Sequence, residues 1–271
     1  KILLFLKLLK VYMNNLIIHP DFASYSEAIS IAIRDFNSSG TTVLKGERNT
    51  IKSLKIDGLY LNIKQFKTPA FFNAFVYKYI RKSKARRSYE YANILTQKSI
   101  LTPTPIAYFE DTSWFGLRQS YYISQHVAYD LDFRVLIHNL KYPNRTEILK
   151  LFSAFTFKLH EQSVNFLDHS PGNTLIVKTD TNHYDFYLID LNRMRFEPMS
   201  FNKRMHNFRR LWLSKAMVKT MSKEYASLSD SGTSFEAIQD LMLHYSRKFQ
   251  KHINSKKLRR SGRKMVFKTT N

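Results

Sequence analysis

Between residues 16 and 109, short apolar runs alternate with polar ones and are separated by turn-forming clusters. This pattern predicts strands with one or two helices among them. Residues 16–18 read as a first strand. Asn37-Ser38-Ser39-Gly40 is a turn, followed by a strand over 41–44. Lys45-Gly46-Glu47-Arg48-Asn49 interrupts it, residues 51–54 resume it, and 59–63 form a third extended run that ends at Lys64. Ser83 suits a helix N-cap, its hydroxyl being able to accept from an unpaired N–H of the first turn, and a helix is expected from there through Glu90 to about Gln97. Thr102-Pro103-Thr104-Pro105 stops that helix, because proline lacks the N–H and biases its predecessor to extended geometry.

Two further strands follow, over 106–110 and 117–124. From Leu131 the apolar spacing turns helical, over 131–140 and 145–162. Residues 164–196 read as loops and short strands, and helical spacing returns from Met205 to the end. The outline is α+β: a small antiparallel-sheet lobe over 13–126, then a larger helical lobe over 127–271, with the boundary near 124–130. Residues 1–12 are apolar but contain Lys7 and Lys10, too short a run to span a bilayer. They read as an upstream extension before a start at Met13, or as a surface-seeking segment.

Charge changes the picture more than any other compositional feature. Forty-three Lys and Arg against 21 Asp and Glu give +22, a surface that attracts nucleic acid, anionic headgroups or a phosphorylated glycolipid. Residues 58–89 carry no acid but hold Lys64, Lys67, Lys78, Arg81, Lys82, Lys84, Arg86 and Arg87, interleaved with Phe71, Phe72, Phe75, Tyr77 and Tyr79. Residues 241–271 again lack acids and carry ten Lys and Arg, a solvated helix end or an anionic-surface contact. The absence of cysteine excludes disulfides, a thiol nucleophile and cysteine-ligated zinc.

Candidate chemistry sits at Asp168-His169-Ser170-Pro171-Gly172-Asn173, with Asp190 seventeen residues beyond Asn173 at the end of an apolar strand. Phosphoryl transfer needs a carboxylate to take the acceptor's proton and oxygen ligands to hold magnesium on the phosphates. Asp168, then Asn173, then Asp190 supply that set in order. The alternative is that 168–172 is only a turn, as every residue type there favours one. Upstream, Lys64 ends a strand and Glu90 lies in a helix. A lysine so placed grips the α- and β-phosphates, and the glutamate holds it by a charge-assisted pair; Lys67 competes with Lys64 for the part. No G-x-G-x-x-G exists; Gly40 and Gly46 are the glycines available to cover a nucleotide.

With these residues assembled, the sequence resembles the lipopolysaccharide kinase family, the Kdo and heptose kinases of Gram-negative bacteria. The likeness is carried by Asn62-Ile63-Lys64-Gln65-Phe66-Lys67, by residues 83–90 with Leu101-Thr102-Pro103-Thr104-Pro105-Ile106-Ala107, and by 168–173 with Asp190; it covers residues 15–215. The resemblance implies a two-lobed protein-kinase-like fold, with ATP and magnesium between a nucleotide-binding N-lobe and a catalytic, acceptor-binding C-lobe. It implies transfer of the γ-phosphate to a sugar hydroxyl of the lipid A-linked inner core, at the cytoplasmic face of the inner membrane, and no nucleic-acid partner. By position, Lys64 is the phosphate lysine, Glu90 its partner, Asp168 the base, and Asn173 and Asp190 the metal ligands. Two features depart from the usual kinase pattern: Phe166 stands where a histidine is usual, and Asp190-Leu191-Asn192 lacks the glycine of the protein-kinase motif. The rival readings are a kinase-fold phosphotransferase with another small-molecule or protein acceptor, and a polyanion-binding pseudokinase.

Overall fold

The computed structural model describes residues 15–47, 49–180, 182–229 and 232–269. The segment 1–12 and Met13 lie outside them. The chain divides into two compact units: Lys1–Ala128 with Leu188–Arg193, and Tyr129–Tyr187 with Met194–Asn271.

The first unit is built on a six-stranded antiparallel sheet. Its strands are β1 (Leu16–Ile18), β2 (Thr41–Lys45), β3 (Asn49–Ile56), β4 (Leu59–Phe66), β5 (Pro105–Thr112) and β6 (Leu117–Gln125), in the order β1-β5-β6-β4-β3-β2. Each strand expected from the sequence here is present, most of them extended by one to three residues at their ends. Helix α1 (Ser26–Arg34) and the turn just after it pack on one sheet face: Ile29, Ala32 and Ile33, with Phe36 beyond the helix end, meet Leu61, Ile63, Phe109, Tyr121 and Ile123 in one buried cluster. Those four positions follow the i, i+3, i+4, i+7 spacing of an amphipathic helix, and each fully buried Ile contributes about 2 kcal/mol. Helix α2 (Phe71–Tyr79) precedes α3 (Lys84–Gln97), which lies against β5 and β6, with Tyr89 and Tyr108 rings 5.3 Å apart. Ser83 caps α3 as expected, its Oγ accepting from the Arg86 N–H at 3.0 Å.

The second unit is mainly helical: α4 (Phe133–His138), α5 (Arg145–Glu161), α6 (Phe201–Asn207), α7 (Lys215–Ser227) and α8 (Phe235–Thr269). A three-stranded sheet joins β7 (Leu131–Asp132), β9 (Thr174–Asp180) and β10 (His183–Leu188) in the order β10-β9-β7. A two-stranded ladder joins β8 (Val164–Phe166) to β11 (Met194–Phe196), with Phe166 opposite Met194. The core is aromatic-rich, with Phe133, Phe152, Phe208 and Tyr225 fully buried. The helical stretch expected over 131–140 is shorter, because Asp132 caps α4 only at Phe133 by accepting from the Arg134 N–H. Helix from Met205 onward is likewise interrupted, by a 3₁₀ turn at Phe208–Arg210 and by Ser214, which caps α7. Among the described residues, no helix is long and apolar enough to cross a membrane.

Candidate active site

In the first unit, Lys64 and Asp190 meet. β4 alternates Leu61 and Ile63 into the α1-side core, which turns Lys64 to the opposite face, in register with Ile51 and Tyr122. Lys64 Nζ donates to Asp190 Oδ1 at 2.8 Å, and only 13% of the lysine side chain is exposed. Asp190 has φ 57°, a left-handed conformation that a short polar residue tolerates, and its Oδ1 also accepts from Asn192 Nδ2 at 2.6 Å. Both contacts fall on Oδ1, so Oδ2 is left for another cation.

Three tethers hold the short segment around Asp190. Leu188 N–H donates to the Leu101 carbonyl at 3.0 Å, and Thr102 Oγ1 donates to the Leu188 carbonyl at 2.8 Å. Arg87 Nη1 donates to the Asn192 carbonyl at 2.8 Å. The Pro-rich turn and α3 therefore fix the loop that carries the acid. In the sequence Arg87 reads as part of a basic surface, but it is buried, and burial lowers its pKa. It holds the loop instead of facing solvent. Its spacing from the apolar positions of α3 is the only signal in the sequence, and the run of neighbouring cations obscures it.

Glu90 does not pair with Lys64. Its carboxylate accepts from Lys82 at 2.8 Å and Arg86 at 2.9 Å; burial raises its pKa, but these two cations outweigh that and hold it below the usual range. Both partners lie close to Glu90 along the chain, Arg86 one helical turn earlier on α3, so they reach it without crossing the unit. Lys67 is not the lysine at Asp190. It lines a cavity of about 260 Å³ with Gly46, Asn49, Thr50 and Gln65, beside the turn that joins β2 to β3. Gly40 and Gly46 do not form one loop, for they stand at opposite ends of β2, about 17 Å of strand apart. Gly40 has φ 74°, and a Cβ there would sit 2.8 Å from the Ser53 carbonyl oxygen, so its glycine serves the close approach of β3.

In the second unit, Asp168 and Asn173 are brought together by the turn at Pro171–Asn173. Asn173 Nδ2 donates to the Asp168 carbonyl at 2.8 Å, which leaves its Oδ1 for a cation. The Asp168 carboxylate is oriented by Arg210, with Nη2 2.8 Å from Oδ1. Beneath this turn lies a buried polar network that the sequence does not reveal. Asn207 Nδ2 donates to the Phe166 carbonyl at 2.9 Å and to Asn165 Oδ1 at 3.2 Å. Its Oδ1 must then accept, from His169 Nδ1 at 2.9 Å and His160 Nε2 at 3.5 Å, while His160 Nδ1 accepts from the Tyr225 hydroxyl at 2.8 Å. Phe166 stacks on His169, with rings 5.8 Å apart. His169 thus bonds to Asn207 while Phe166 packs on its ring.

Asn207→Ala should lower stability by about 2–3 kcal/mol, because it strands several buried donors and acceptors at once. A urea midpoint unchanged from wild type would show that the network contributes nothing.

Among the described residues, no group of three or more His, Asp or Glu is placed to hold a metal ion. Magnesium on a nucleotide needs only one or two protein oxygens besides phosphate and water. Asp190 Oδ2 in the first unit and Asn173 Oδ1 in the second are each an oxygen of the kind that demand requires.

No family model matches the chain, and no curated protein matches it by sequence. Among solved structures, the chain is similar to WaaP in complex with acyl carrier protein, with a TM-score of 0.62 and 15% identity over 87% of this chain and 98% of that one. That likeness shows the fold: a protein-kinase-like arrangement, with an antiparallel-sheet N-terminal part and a helical C-terminal part.

Proposed function

We propose that this chain is an ATP-dependent kinase that phosphorylates a sugar, Kdo or heptose, of the lipopolysaccharide inner core. The observation that carries the reading is the Lys64–Asp190 pair. Two residues 126 positions apart, one suited to phosphate and one to metal, meet at 2.8 Å on a tethered loop. The kinase-like fold and the Asp168–Asn173 turn support it.

Lys64 would hold the α- and β-phosphates, and Asp190 in the first unit and Asn173 in the second would each be an oxygen ligand for magnesium, which would neutralise charge on the phosphates. The Asp168 carboxylate would accept the proton of the acceptor hydroxyl as its oxygen bonds to the γ-phosphorus and the bond to the β–γ bridging oxygen breaks, releasing ADP, with Arg210 keeping the carboxylate in one orientation. Lys64 Nζ is paired with Asp190 Oδ1, and a phosphate oxygen would offer the same lysine a second anion.

The test is transfer of labelled γ-phosphate from ATP, with magnesium, to Kdo-lipid A and to heptosylated core. Because the WaaP structure is of a complex with acyl carrier protein, the assay should be run with and without that protein. Label in one glycolipid selects the sugar. No label in either, from folded protein that binds ATP, would overturn the glycolipid acceptor. Asp190→Ala should weaken magnesium-dependent nucleotide binding by about tenfold or more. An unchanged magnesium titration by calorimetry would remove Asp190 from the metal site.

A further inference from the structure

The end of α2 and the turn between β5 and β6 carry a cluster of exposed aromatic side chains. Trp114 is 76% exposed and Ile80 73%, with Phe75, Tyr79 and Phe115 also exposed around them. The Trp114 and Phe115 rings lie 3.5 Å apart, and the Phe75 and Tyr79 rings 4.8 Å apart. The cluster is built, not frayed. Tyr79 Oη donates to the Trp114 carbonyl at 2.8 Å, and Lys78 Nζ donates to the Ser113 carbonyl at 2.6 Å. Ser113 and Gly116 exchange backbone hydrogen bonds of 2.8 and 3.2 Å across the turn. A Cβ on Gly116 would sit 2.4 Å from the Ala74 carbonyl carbon, so only glycine lets the turn seat on α2.

Cations lie beside these rings, with Lys78 Nζ 5.0 Å from the Tyr79 ring centroid. Lys78 and Arg81 flank Tyr79 and Ile80, no acid occurs over 58–89, and Asp111, the nearest acid before the turn, is paired to Arg118 at 2.7 Å. Exposed Trp and Tyr beside unneutralised Lys and Arg match the two chemistries of an anionic bilayer surface: an apolar boundary for the rings and phosphates for the cations. An apolar protein partner would use the rings but leave the cations without counter-charge.

We propose that this turn and the end of α2 form a pre-organised interfacial anchor. It inserts Trp114, Phe115, Tyr79 and Ile80 at the headgroup level of an anionic bilayer, with Lys78 and Arg81 on lipid phosphates. The anchor rests on the glycolipid reading for its purpose, but its test needs neither nucleotide nor glycolipid, so the two can fail separately.

The chain contains two tryptophans, so in full-length Trp212→Phe protein only Trp114 reports. With vesicles of phosphatidylglycerol and phosphatidylcholine, Trp114 emission shifts to the blue and is quenched by lipids brominated near the headgroup. With phosphatidylcholine alone, both effects are weak. Trp114→Ser with Phe115→Ser lowers vesicle co-sedimentation by about tenfold or more, and Arg81→Glu lowers it further. Emission unmoved by anionic vesicles, or co-sedimentation unchanged in the double variant, overturns the anchor. An acidic protein that shifts Trp114 while vesicles do not would overturn it too, and would name the other occupant.

Discussion

Asp168→Asn is expected to lower the turnover number for phosphate transfer by about 10³-fold or more, while the Michaelis constant for ATP stays within about twofold. The amide matches the carboxylate in shape, and its Oδ1 can still accept from Arg210 Nη2, now 2.8 Å from the acid. The turn that carries residue 168 is held by its backbone: Asn173 Nδ2 binds the Asp168 carbonyl, and Asn207 Nδ2 binds the Phe166 carbonyl two residues before. Neither tether uses the carboxylate. The substitution removes the proton acceptor and the charge that faces Arg210 while leaving both backbone tethers in place, so the loss should appear chiefly in turnover. Initial rates of labelled transfer, with thermal unfolding as a control, make the measurement. A variant within about tenfold of wild type would rule out Asp168 as the base.

Acid should unfold the second unit early, by about 4 kcal/mol of lost stability at pH 5 relative to pH 7.5. His160 and His169 are fully buried. Burial, reinforced for His160 by the neighbouring His169, pushes their pKa from 6.5 down to about 3 and about 4 respectively. Around His160 lie Tyr225, Asn207 and Arg204; around His169 lie Asn207 and the Phe152 and Phe166 rings. None of these is a carboxylate that could stabilise an imidazolium. His169 Nε2 has no partner, so a proton there would be a buried N–H without an acceptor. Above pH 6.5 the histidines are neutral in both states and the network is fully stable. Below it the unfolded chain takes up two protons that the folded chain refuses until the pH nears 4, so stability falls through that window. Each contributes about 2 kcal/mol at pH 5. Urea midpoints from pH 7.5 to 4.5 measure it. A flat profile would mean that the ring nitrogens reach water. Asn207→Asp should make the fall smaller, since a carboxylate between the rings raises their folded pKa toward the unfolded value and narrows that window.

Both expectations concern the same few residues, and part of this site escapes the sequence for a physical reason. Asp168, Asn173 and Asp190 could be picked out because the proposed phosphoryl transfer would use oxygens of those types in that order, and the intervening apolar strands mark the turn and the loop. Asn207 is an ordinary asparagine near the end of a short helix. Nothing in its local sequence says that its amide lies under residues 165–169, about forty positions earlier. Arg87 is hidden for the opposite reason, since it sits in a run of cations that reads as a solvated face.

The sequence by itself determined the local periods: which segments extend, where Ser83 starts a helix, where the prolines stop one, and which residue types could handle a phosphate. Those features depend on neighbours within a turn or a strand, so the pattern contains them. The meeting of Lys64 with Asp190, the pairing of Glu90 with Lys82 and Arg86, the placing of Gly40 and Gly46 at opposite ends of β2, and the burial of Arg87 and Asn207 were decided only by the tertiary structure. Each depends on which sheet face or distant backbone a side chain meets, and that is set by long-range register and packing, to which residues far along the chain contribute as much as adjacent ones.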